Sequence, residues 1–230
     1  MIVLSVGGSI VAPDVPDVKF IVEFVASMKK YLAQDKNRKL ILVVGGGGVA
    51  RSYITAYKEV TTSFGSAISS DTADMVGIMA TRLNAELVRA SFAELCTAPV
   101  VYDPTAVEQF EGNVLVAAGW KPGFSTDTDA VILAERFGAN MVVNLSNITK
   151  VYTSDPKTNP DAKPIDSISW DDFINMVGTE WSPGKNLPFD PIASQRARNA
   201  KIKVVCANGR DIQNIENILM GKDFVGTIIG

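Results

Sequence analysis

The chain has 230 residues, of which 47% are hydrophobic and 20% are charged; its net charge is −3 and it contains no histidine. This composition is typical of a globular protein with a full core, and the small negative charge excludes a global basic field that would attract nucleic acid. The lack of histidine excludes Ser-His-Asp catalysis, histidine zinc sites and imidazole general bases. We therefore expect chemistry that needs little proton transfer.

The N-terminal stretch MIVLSVGGSIVAP has a short apolar run without a preceding positive charge, whereas a secretory signal needs a basic start and roughly 7–15 apolar residues. No segment approaches the ~20 apolar residues of a membrane span. We therefore expect a cytoplasmic protein with neither a membrane nor a nucleic-acid partner. Cys96 and Cys206 lie far apart in apolar contexts, which favours reduced buried thiols over a disulfide or a metal site.

The first part of the chain alternates apolar runs with amphipathic stretches. Residues 2–6 predict a strand, and an apolar stripe after a candidate N-cap, Asp17, predicts a helix. Residues 40–44 predict a strand that is covered on both faces. A helix over about residues 49–59 follows, and a longer one begins near Asp71, which we expect to act as its cap.

The rest of the chain continues this alternation. Strands are predicted for PVVY, NVLVAAG, NMVVNL, KIKVVCAN and VGTIIG, and helices for residues 129–137, SWDDFINMV, DPIASQRARNA and DIQNIENILMG. Asp190 and Pro191 are typical of an N-cap and a first helical position. The turn-rich segment VYTSDPKTNPDAKPI predicts a hairpin or a loop. This pattern indicates an α/β protein with a mostly parallel sheet.

Glycine-rich turns follow the predicted strands in three places, at residues 7–9, 45–48 and 119–127. Ligands bind at the carboxyl ends of parallel strands. The main-chain N–H groups of a strand-to-helix turn, together with the helix dipole, form an anion site. A single turn of this kind also suits an ordinary tight loop. Three at one sheet edge predict a ligand, or a pair of ligands, with several phosphates.

The familiar phosphate-binding motifs do not account for these turns. No stretch fits the P-loop pattern G-x-x-x-x-G-K-[ST], and GGGGVA matches the dinucleotide-binding turn only loosely. No strand ends in an acidic residue about 20 residues later, as that turn requires. The pattern therefore disfavours hydride transfer.

A family resemblance rests on segments that occur in a characteristic order, namely VGGSI, VVGGGGVARSYI, DMVGIMATRLNA, GWKPGFSTDTDAV, SNITKVYTSDP, FDPIASQRA and GTII. The chain resembles the amino acid kinase family, and within it the uridylate kinases of the archaeal type, over essentially all 230 residues. The resemblance implies one domain over residues 1–230, a three-layer α/β sandwich with an eight-stranded, mainly parallel central sheet, and a homohexamer. It also implies transfer of the γ-phosphoryl group of ATP to UMP with Mg²⁺, in pyrimidine nucleotide biosynthesis.

The implied chemistry agrees with the composition. The acceptor phosphate of a nucleoside monophosphate is already deprotonated near neutral pH, so no general base is needed. Phosphoryl transfer depends on positioning and on neutralising charge. Glycine amides, helix N-termini, a cation and a few basic side chains can supply both.

The resemblance also assigns residues to two nucleotide subsites, with the N-terminal part mainly on the UMP side and the C-terminal part mainly on the ATP side. The UMP subsite comprises Gly46, Asp74, Gly119, Trp120, Lys121, Pro122, Gly123, Phe124, Ser125 and Thr126. The ATP subsite comprises Gly8, Ser9, Gly47, Arg51, Ser146, Asn147, Tyr152 and Asp155. No residue is assigned to a metal. Structural roles stay open for Arg51 as a solvated helix residue, Asp74 as a helix-terminal charge and Tyr152 as a hairpin residue.

The chain departs from the family pattern in its catalytic lysine. Many relatives carry a lysine where this chain has Ser5. Lys121 and Lys185 are candidate replacements. Asp190 lies where relatives have an aspartate near the nucleotide, although a capping role explains it equally well. Lys121 and Asp190 are the catalytic candidates.

Two loops also differ from the common pattern, with TDTDA in place of TDA and NITKVY in place of NVDGVY. Their shapes stay open at this point.

Other functions of the same fold remain as alternatives. One is another small-acid or phosphate kinase, such as carbamate or isopentenyl phosphate kinase. Another is molybdate or tungstate storage, which relies on histidine. A third is a nucleotide sensor without turnover, which the missing lysine at the Ser5 position suggests. The Asp74 helix and the P-G-x-S-T-D loop favour a nucleotide acceptor.

Overall fold

A computed structural model describes residues 1–179 and 187–230. The strands are β1 Ile2–Val6, β2 Leu40–Val44, β3 Val114–Ala117, β4 Met141–Ser146, β5 Val151–Tyr152, β6 Pro164–Ile165, β7 Ser167–Ile168, β8 Lys203–Asn208 and β9 Thr227–Ile229. The α-helices are α1 Gly8–Val11, α2 Val18–Ala33, α3 Gly47–Ser63, α4 Ser70–Phe92, α5 Thr126–Arg136, α6 Trp170–Val177, α7 Pro191–Ala200 and α8 Ile212–Leu219. A 3₁₀ turn at Ala93–Leu95 follows α4.

The central sheet has the strand order β3-β2-β1-β4-β8-β9-β7, and β5 pairs with β6 in a separate hairpin. Strands β3, β2, β1, β4 and β8 run parallel, whereas β9 is antiparallel to β8. The α/β class and the mainly parallel sheet are therefore confirmed. The expected eighth strand is not found among the described residues, because the segment PVVY contributes only an isolated bridge between Val101 and Ala117.

Two hydrophobic cores lie on opposite faces of this sheet. Alternate residues of one strand point to different cores, as Val3 and Leu4 show. Helices α2, α4 and α8 cover the Leu4 face. Helices α5, α6 and α7 cover the Val3 face. This arrangement is the predicted three-layer sandwich, and β1, β2 and β4 are buried on both sides, as their apolar runs predict.

Helix starts follow the cap residues closely. Asp17 accepts a hydrogen bond from the Phe20 amide at 3.0 Å, and Asp190 accepts one from the Ala193 amide at 2.8 Å, so both predicted caps are confirmed. The expectation for Asp71 is wrong. Ser69 caps α4 instead, and Asp71 lies in the first helical turn.

Helix α5 begins at Thr126 rather than at residue 129. The Ser125 hydroxyl accepts a hydrogen bond from the Thr128 amide at 3.2 Å, which starts the helix earlier. The two aspartates of TDTDA therefore lie in the first turn of α5.

Cys96 and Cys206 are both buried and unpaired, as expected. Burial raises the pKa of each thiol, so neither has the thiolate character of a reactive cysteine. None of the helices in the described ranges has the length and apolar character needed to cross a membrane.

Candidate active site

The glycine turns after β1 and β2 pack directly against each other. A methyl group on Gly8 would lie 2.6 Å from main-chain carbons of both Gly45 and Gly46. A methyl group on Gly47, whose φ is +65°, would overlap the main chain of Gly8 and Ala12. The close packing of the two turns is therefore one reason for glycine here, because the protein's own backbone fills much of the space that a side chain would need.

The same two turns present main-chain donors. Gly7 and Gly45 use their amides within the fold, donating to Leu145 and Val6. The amides of Gly8, Ser9, Gly46 and Gly47 have no acceptor among the described residues. These donors lie at the carboxyl ends of adjacent parallel strands and at the starts of α1 and α3. Such a group of free amides is suited to an anion with several oxygens.

Polar side chains of α4 hold the second glycine turn in place. The buried Asn84 amide donates to the carbonyl oxygens of Gly45 and Gly46 at 2.9 and 3.1 Å. Thr81 lies beside Gly46, since a methyl group there would be 3.3 Å from Thr81 Cγ2. Thr81 Oγ1 also accepts the Gly119 amide at 2.8 Å. Helix α4 therefore joins the glycine turn to the loop that follows β3.

That loop, which we call the 119–124 loop after its residues, is held from α4 at both ends. Arg82 donates to the carbonyl oxygens of Gly119 and Trp120 at 3.4 and 2.9 Å. Asp74 Oδ2 accepts the Gly123 amide at 3.1 Å. The structure thus brings Asp74 together with the loop residues assigned with it from the sequence.

A polar junction lies where α5 and α7 begin. The hydroxyl of buried Ser5 donates to Asp127 Oδ1 at 3.0 Å, and the Asp190 amide donates to Asp127 Oδ2 at 3.3 Å. Thr128 donates to Asp190 Oδ1 at 3.3 Å. Burial, and then the nearby Asp190 carboxylate, raise the pKa of Asp127 to about 6. Asp190 therefore caps α7 and also binds the Asp127 carboxyl group through its amide.

Asp129 lies on the opposite side of the α5 start. Its Oδ2 accepts the Trp120 amide at 3.2 Å, on the 119–124 loop. Burial is the main cause that raises its pKa to about 7, and the carboxylates of Asp127 and Asp103 add to the effect. The first turn of α5 thus carries two carboxyl groups with raised pKa values.

The basic residues proposed from the sequence do not contact the glycine turns through any described hydrogen bond. The Lys121 ammonium lies over the Trp120 ring at 3.8 Å and near the Phe124 ring at 5.0 Å, in a cation–π arrangement. Arg51 is exposed, one turn into α3, and donates to the Pro13 carbonyl at 3.4 Å. Lys185 lies outside the described residues.

The remaining ATP candidates are spread along the next sheet edge. Ser146 ends β4, and its main chain lies beside Gly7, 3.6 Å from a methyl group placed there. Asn147 follows it and is exposed. Tyr152 lies in the β5–β6 hairpin, and Asp155 forms the turn after it by accepting the Lys157 amide at 2.9 Å. The structure brings Ser146 to the glycine turns; the described hydrogen bonds do not join Tyr152 or Asp155 to them.

Several residues of the site were not predicted from the sequence. Thr81, Asn84 and Asp129 are polar residues on otherwise apolar helix faces. That placement is a signal that was present in the sequence. Asp127 ends the P-G-x-S-T-D pattern, but neither its hydrogen bonds nor those of Arg82 could be predicted locally, because the partners of Arg82 and Asp127 lie 37 and 122 residues away.

Comparison with known proteins identifies the family. The model of the amino acid kinase family matches residues 1–208, and the chain belongs to this family. A uridylate kinase from Methanocorpusculum labreanum is 33% identical over 233 residues, covering 100% of this chain and 95% of that protein. A uridylate kinase from Thermoplasma volcanium is 34% identical, covering 99% and 96%. The resemblance to uridylate kinases is therefore confirmed over the full chain.

Solved structures agree. The crystal structure of uridylate kinase from Archaeoglobus fulgidus superposes with a TM-score of 0.82 at 32% identity, covering 100% of this chain and 99% of that one. The UMP kinase of Bacillus anthracis has a TM-score of 0.76 at 18% identity and shares the fold.

Proposed function

We propose that this protein transfers the γ-phosphoryl group of ATP to UMP, giving ADP and UDP. One observation carries the proposal: four free main-chain amides in two facing glycine turns lie beside a loop that α4 anchors through Asp74 and Thr81. This arrangement supplies donors for a phosphate chain and a second subsite next to it. The uridylate kinases matched over the full chain support the choice of UMP as acceptor.

The two subsites follow the division made from the sequence. We propose that Gly46, Asp74 and residues 119–126 contact UMP. We propose that Gly8, Ser9, Gly47, Arg51, Ser146, Asn147, Tyr152 and Asp155 contact ATP. The position of Thr81 supports placing Gly46 and the 119–124 loop in one subsite, because Thr81 lies beside Gly46 and accepts the Gly119 amide.

Catalysis in this proposal is mainly positioning and charge neutralisation. Nothing has to remove a proton from the acceptor phosphate, so the absence of histidine is no obstacle. The free amides stabilise negative charge in a preorganised way. Lys121 supplies a cation if its side chain turns from the Trp120 ring to the phosphates, and Asp190 keeps α7 and the Asp127 carboxyl group in place.

We propose that Mg²⁺ enters the site bound to the phosphates of ATP. Mg²⁺ in kinases keeps several waters and is bound by phosphate oxygens with few protein ligands. Among the described residues, no three His, Cys, Asp or Glu side chains form a group that could hold a metal ion. When bound, Mg²⁺ neutralises charge on the phosphates.

We also propose that the protein is a homohexamer that acts in pyrimidine nucleotide biosynthesis in the cytoplasm. Exposed apolar side chains of α3, of the residue after it and of α4 support self-association, since Val60, Phe64 and Leu83 are 57%, 81% and 68% exposed. The number of copies follows from the family resemblance.

The test is a coupled assay for ADP formation with ATP and Mg²⁺, comparing UMP, CMP, dUMP, AMP and carbamate. Strong turnover with UMP alone is expected. Turnover with carbamate instead would assign a different kinase of this fold. No turnover from protein that binds ATP would assign a binding function.

A further inference from the structure

Asp129 is a carboxylic acid buried where little compensates a negative charge. Its side chain is 0% exposed, and its Oδ1 atom has no hydrogen-bond partner among the described residues. Buried polar atoms are nearly always partnered, and an isolated buried charge is costly. Within the described part of the chain, the Asp129 side chain accepts one hydrogen bond, from the Trp120 amide to Oδ2 at 3.2 Å.

That hydrogen bond completes a clamp on one dipeptide. Thr81 accepts the Gly119 amide, and Arg82 donates to the carbonyl oxygens of Gly119 and Trp120. With the Trp120 amide on Asp129, every main-chain polar group of the dipeptide is bound by a side chain. The dipeptide is also the start of the 119–124 loop, so its position sets the direction in which the rest of the loop leaves the sheet.

We propose that Asp129 is a positioning residue for the 119–124 loop: its buried carboxyl group holds the Trp120 amide and thereby sets the affinity of the neighbouring subsite for UMP. This inference rests on the proposed function for the identity of the ligand. The positioning itself rests on the hydrogen bonds and burial of the described residues.

The charges around Asp129 give the clamp a pH dependence. Asp127 on the same helix and Asp103, on the segment before β3, are negative neighbours. The Arg82 guanidinium lies across the dipeptide, on its carbonyl oxygens. Burial first, and these carboxylates in addition, raise the pKa of Asp129 to about 7, although the hydrogen bond from the Trp120 amide lowers it. Burial in the closed loop therefore favours the neutral acid.

The direction of the effect follows from linkage. A carboxyl group with a raised pKa stabilises the closed arrangement at low pH and loses this contribution as the pH rises through about 7. Ionisation favours conformations that bring water to the buried carboxylate. The hydrogen bond from the Trp120 amide opposes this, because it favours the charged form, but the effect of burial is larger. The KM for UMP should therefore rise as the pH increases from about 4, near the ordinary pKa of an exposed aspartate, to about 7, and should level off above that.

The experiment compares three variants of the whole chain. Asp129→Ala should raise the KM for UMP about tenfold, the scale of one buried hydrogen bond, and leave the KM for ATP within about twofold. It should also speed amide hydrogen exchange in residues 119–124. Asp129→Asn keeps an acceptor for Trp120 without a titrating proton, so it should restore the KM of wild type at low pH and remove its rise with pH. Glu135→Ala, on the same helix and paired with Arg196, should behave as wild type.

Three results would overturn the inference. The first is that Asp129→Ala has the same amide hydrogen exchange and the same kinetics as wild type. The second is that its KM values for UMP and ATP rise equally, which indicates a general structural role. If Asp129→Ala does not fold, parallel pH profiles of Asp129→Asn and wild type would reject it. Ionisation of the UMP phosphate affects both proteins alike and cancels in this comparison. A wild type without UMP turnover would reject the proposed function, and hydrogen exchange would still test the loop clamp.

Discussion

Asp74 has two tasks in the proposed UMP subsite. Its Oδ2 accepts the Gly123 amide at 3.1 Å, which leaves Oδ1 for a ribose hydroxyl, since an ionised carboxylate accepts several hydrogen bonds. Asp74→Asn keeps one acceptor and loses the charge. We expect the KM for UMP to rise about tenfold, the effect of weakening one charge-assisted hydrogen bond, while the KM for ATP changes less than about twofold. Steady-state kinetics with each nucleotide varied in turn measures both constants.

A matched control lies one turn earlier on the same helix. Asp71 is exposed and lies in the first turn of α4, so Asp71→Asn makes the same chemical change without a contact to the 119–124 loop. The assignment of Asp74 to UMP would be contradicted if Asp74→Asn raised the KM for UMP and the KM for ATP equally. It would also be contradicted if Asp74→Asn and Asp71→Asn changed the KM for UMP equally.

The proposed catalytic role of Lys121 depends on its ammonium charge rather than on the apolar part of its side chain. Its ammonium lies over the Trp120 ring, and Lys121→Met keeps the apolar contact while removing the charge. If the ammonium turns to the transferred phosphoryl group, both Lys121→Met and Lys121→Ala should lower kcat at least about tenfold, because an electrostatic contact to developing charge acts on the chemical step. Rapid-quench measurement of one turnover reports this step. Unchanged kcat in Lys121→Met would remove Lys121 from catalysis.

At the level of single residues, local patterns predicted caps and motif residues but not distant partners. Asp17 and Asp190 were found because a cap acts on amides within one helical turn. The role of Asp127 was missed because its partner, Ser5, lies on β1, 122 residues away. The substitution of lysine by Ser5 was visible in the sequence, whereas the hydrogen bond to Asp127 needed the fold.

At the level of elements, the glycine turns were predicted and their packing was not. Four consecutive glycines after an apolar run indicate a strand end with a main-chain requirement, and β2 does end there. The neighbour that enforces the requirement is the turn after β1, which parallel pairing brings alongside. Local propensity also failed in two other elements. PVVY forms only an isolated bridge because most of it does not pair with a neighbouring strand, and α5 starts before residue 129 because Ser125 caps it.

Gly8→Ala tests this packing. A methyl group there would lie 2.6 Å from main-chain carbons of the facing turn, and main chain cannot yield as a flexible side chain does. We expect a loss of at least about 3 kcal/mol in the free energy of unfolding, comparable to a severe overpacking. Urea denaturation without nucleotide measures this loss independently of any role in ATP binding. Gly138→Ala is the control, since its φ is +65° and nothing lies near the added methyl group; it should cost about 1 kcal/mol. Equal losses in the two variants would mean that the facing turns can separate.

At the scale of the whole molecule, one surface remains apolar after folding. Helix α3 has 17 residues, and only Gly48 among them is buried. Helix α4 packs on α3 and continues the surface with exposed residues that share long apolar side chains, namely Met75, Met79, Leu83 and Leu87. Isolated exposed apolar residues are common, but long apolar side chains repeated every four residues along one helix, as on α4, are typical of an interface.

This surface makes the proposed homohexamer testable. Val60 lies on α3, is 57% exposed and belongs to neither hydrophobic core, so Val60→Asp changes the surface and leaves both cores intact. If copies of the chain meet there, the charge must be buried without a partner, and association should weaken at least about tenfold. Light scattering after size exclusion should then give six copies for wild type and a smaller assembly for the variant. Met176→Asp, on α6 at the opposite face of the sheet, should leave the assembly intact. A wild type that is monomeric at micromolar concentration would reject the hexamer, whereas a hexamer unaffected by Val60→Asp would place the contacts on another surface.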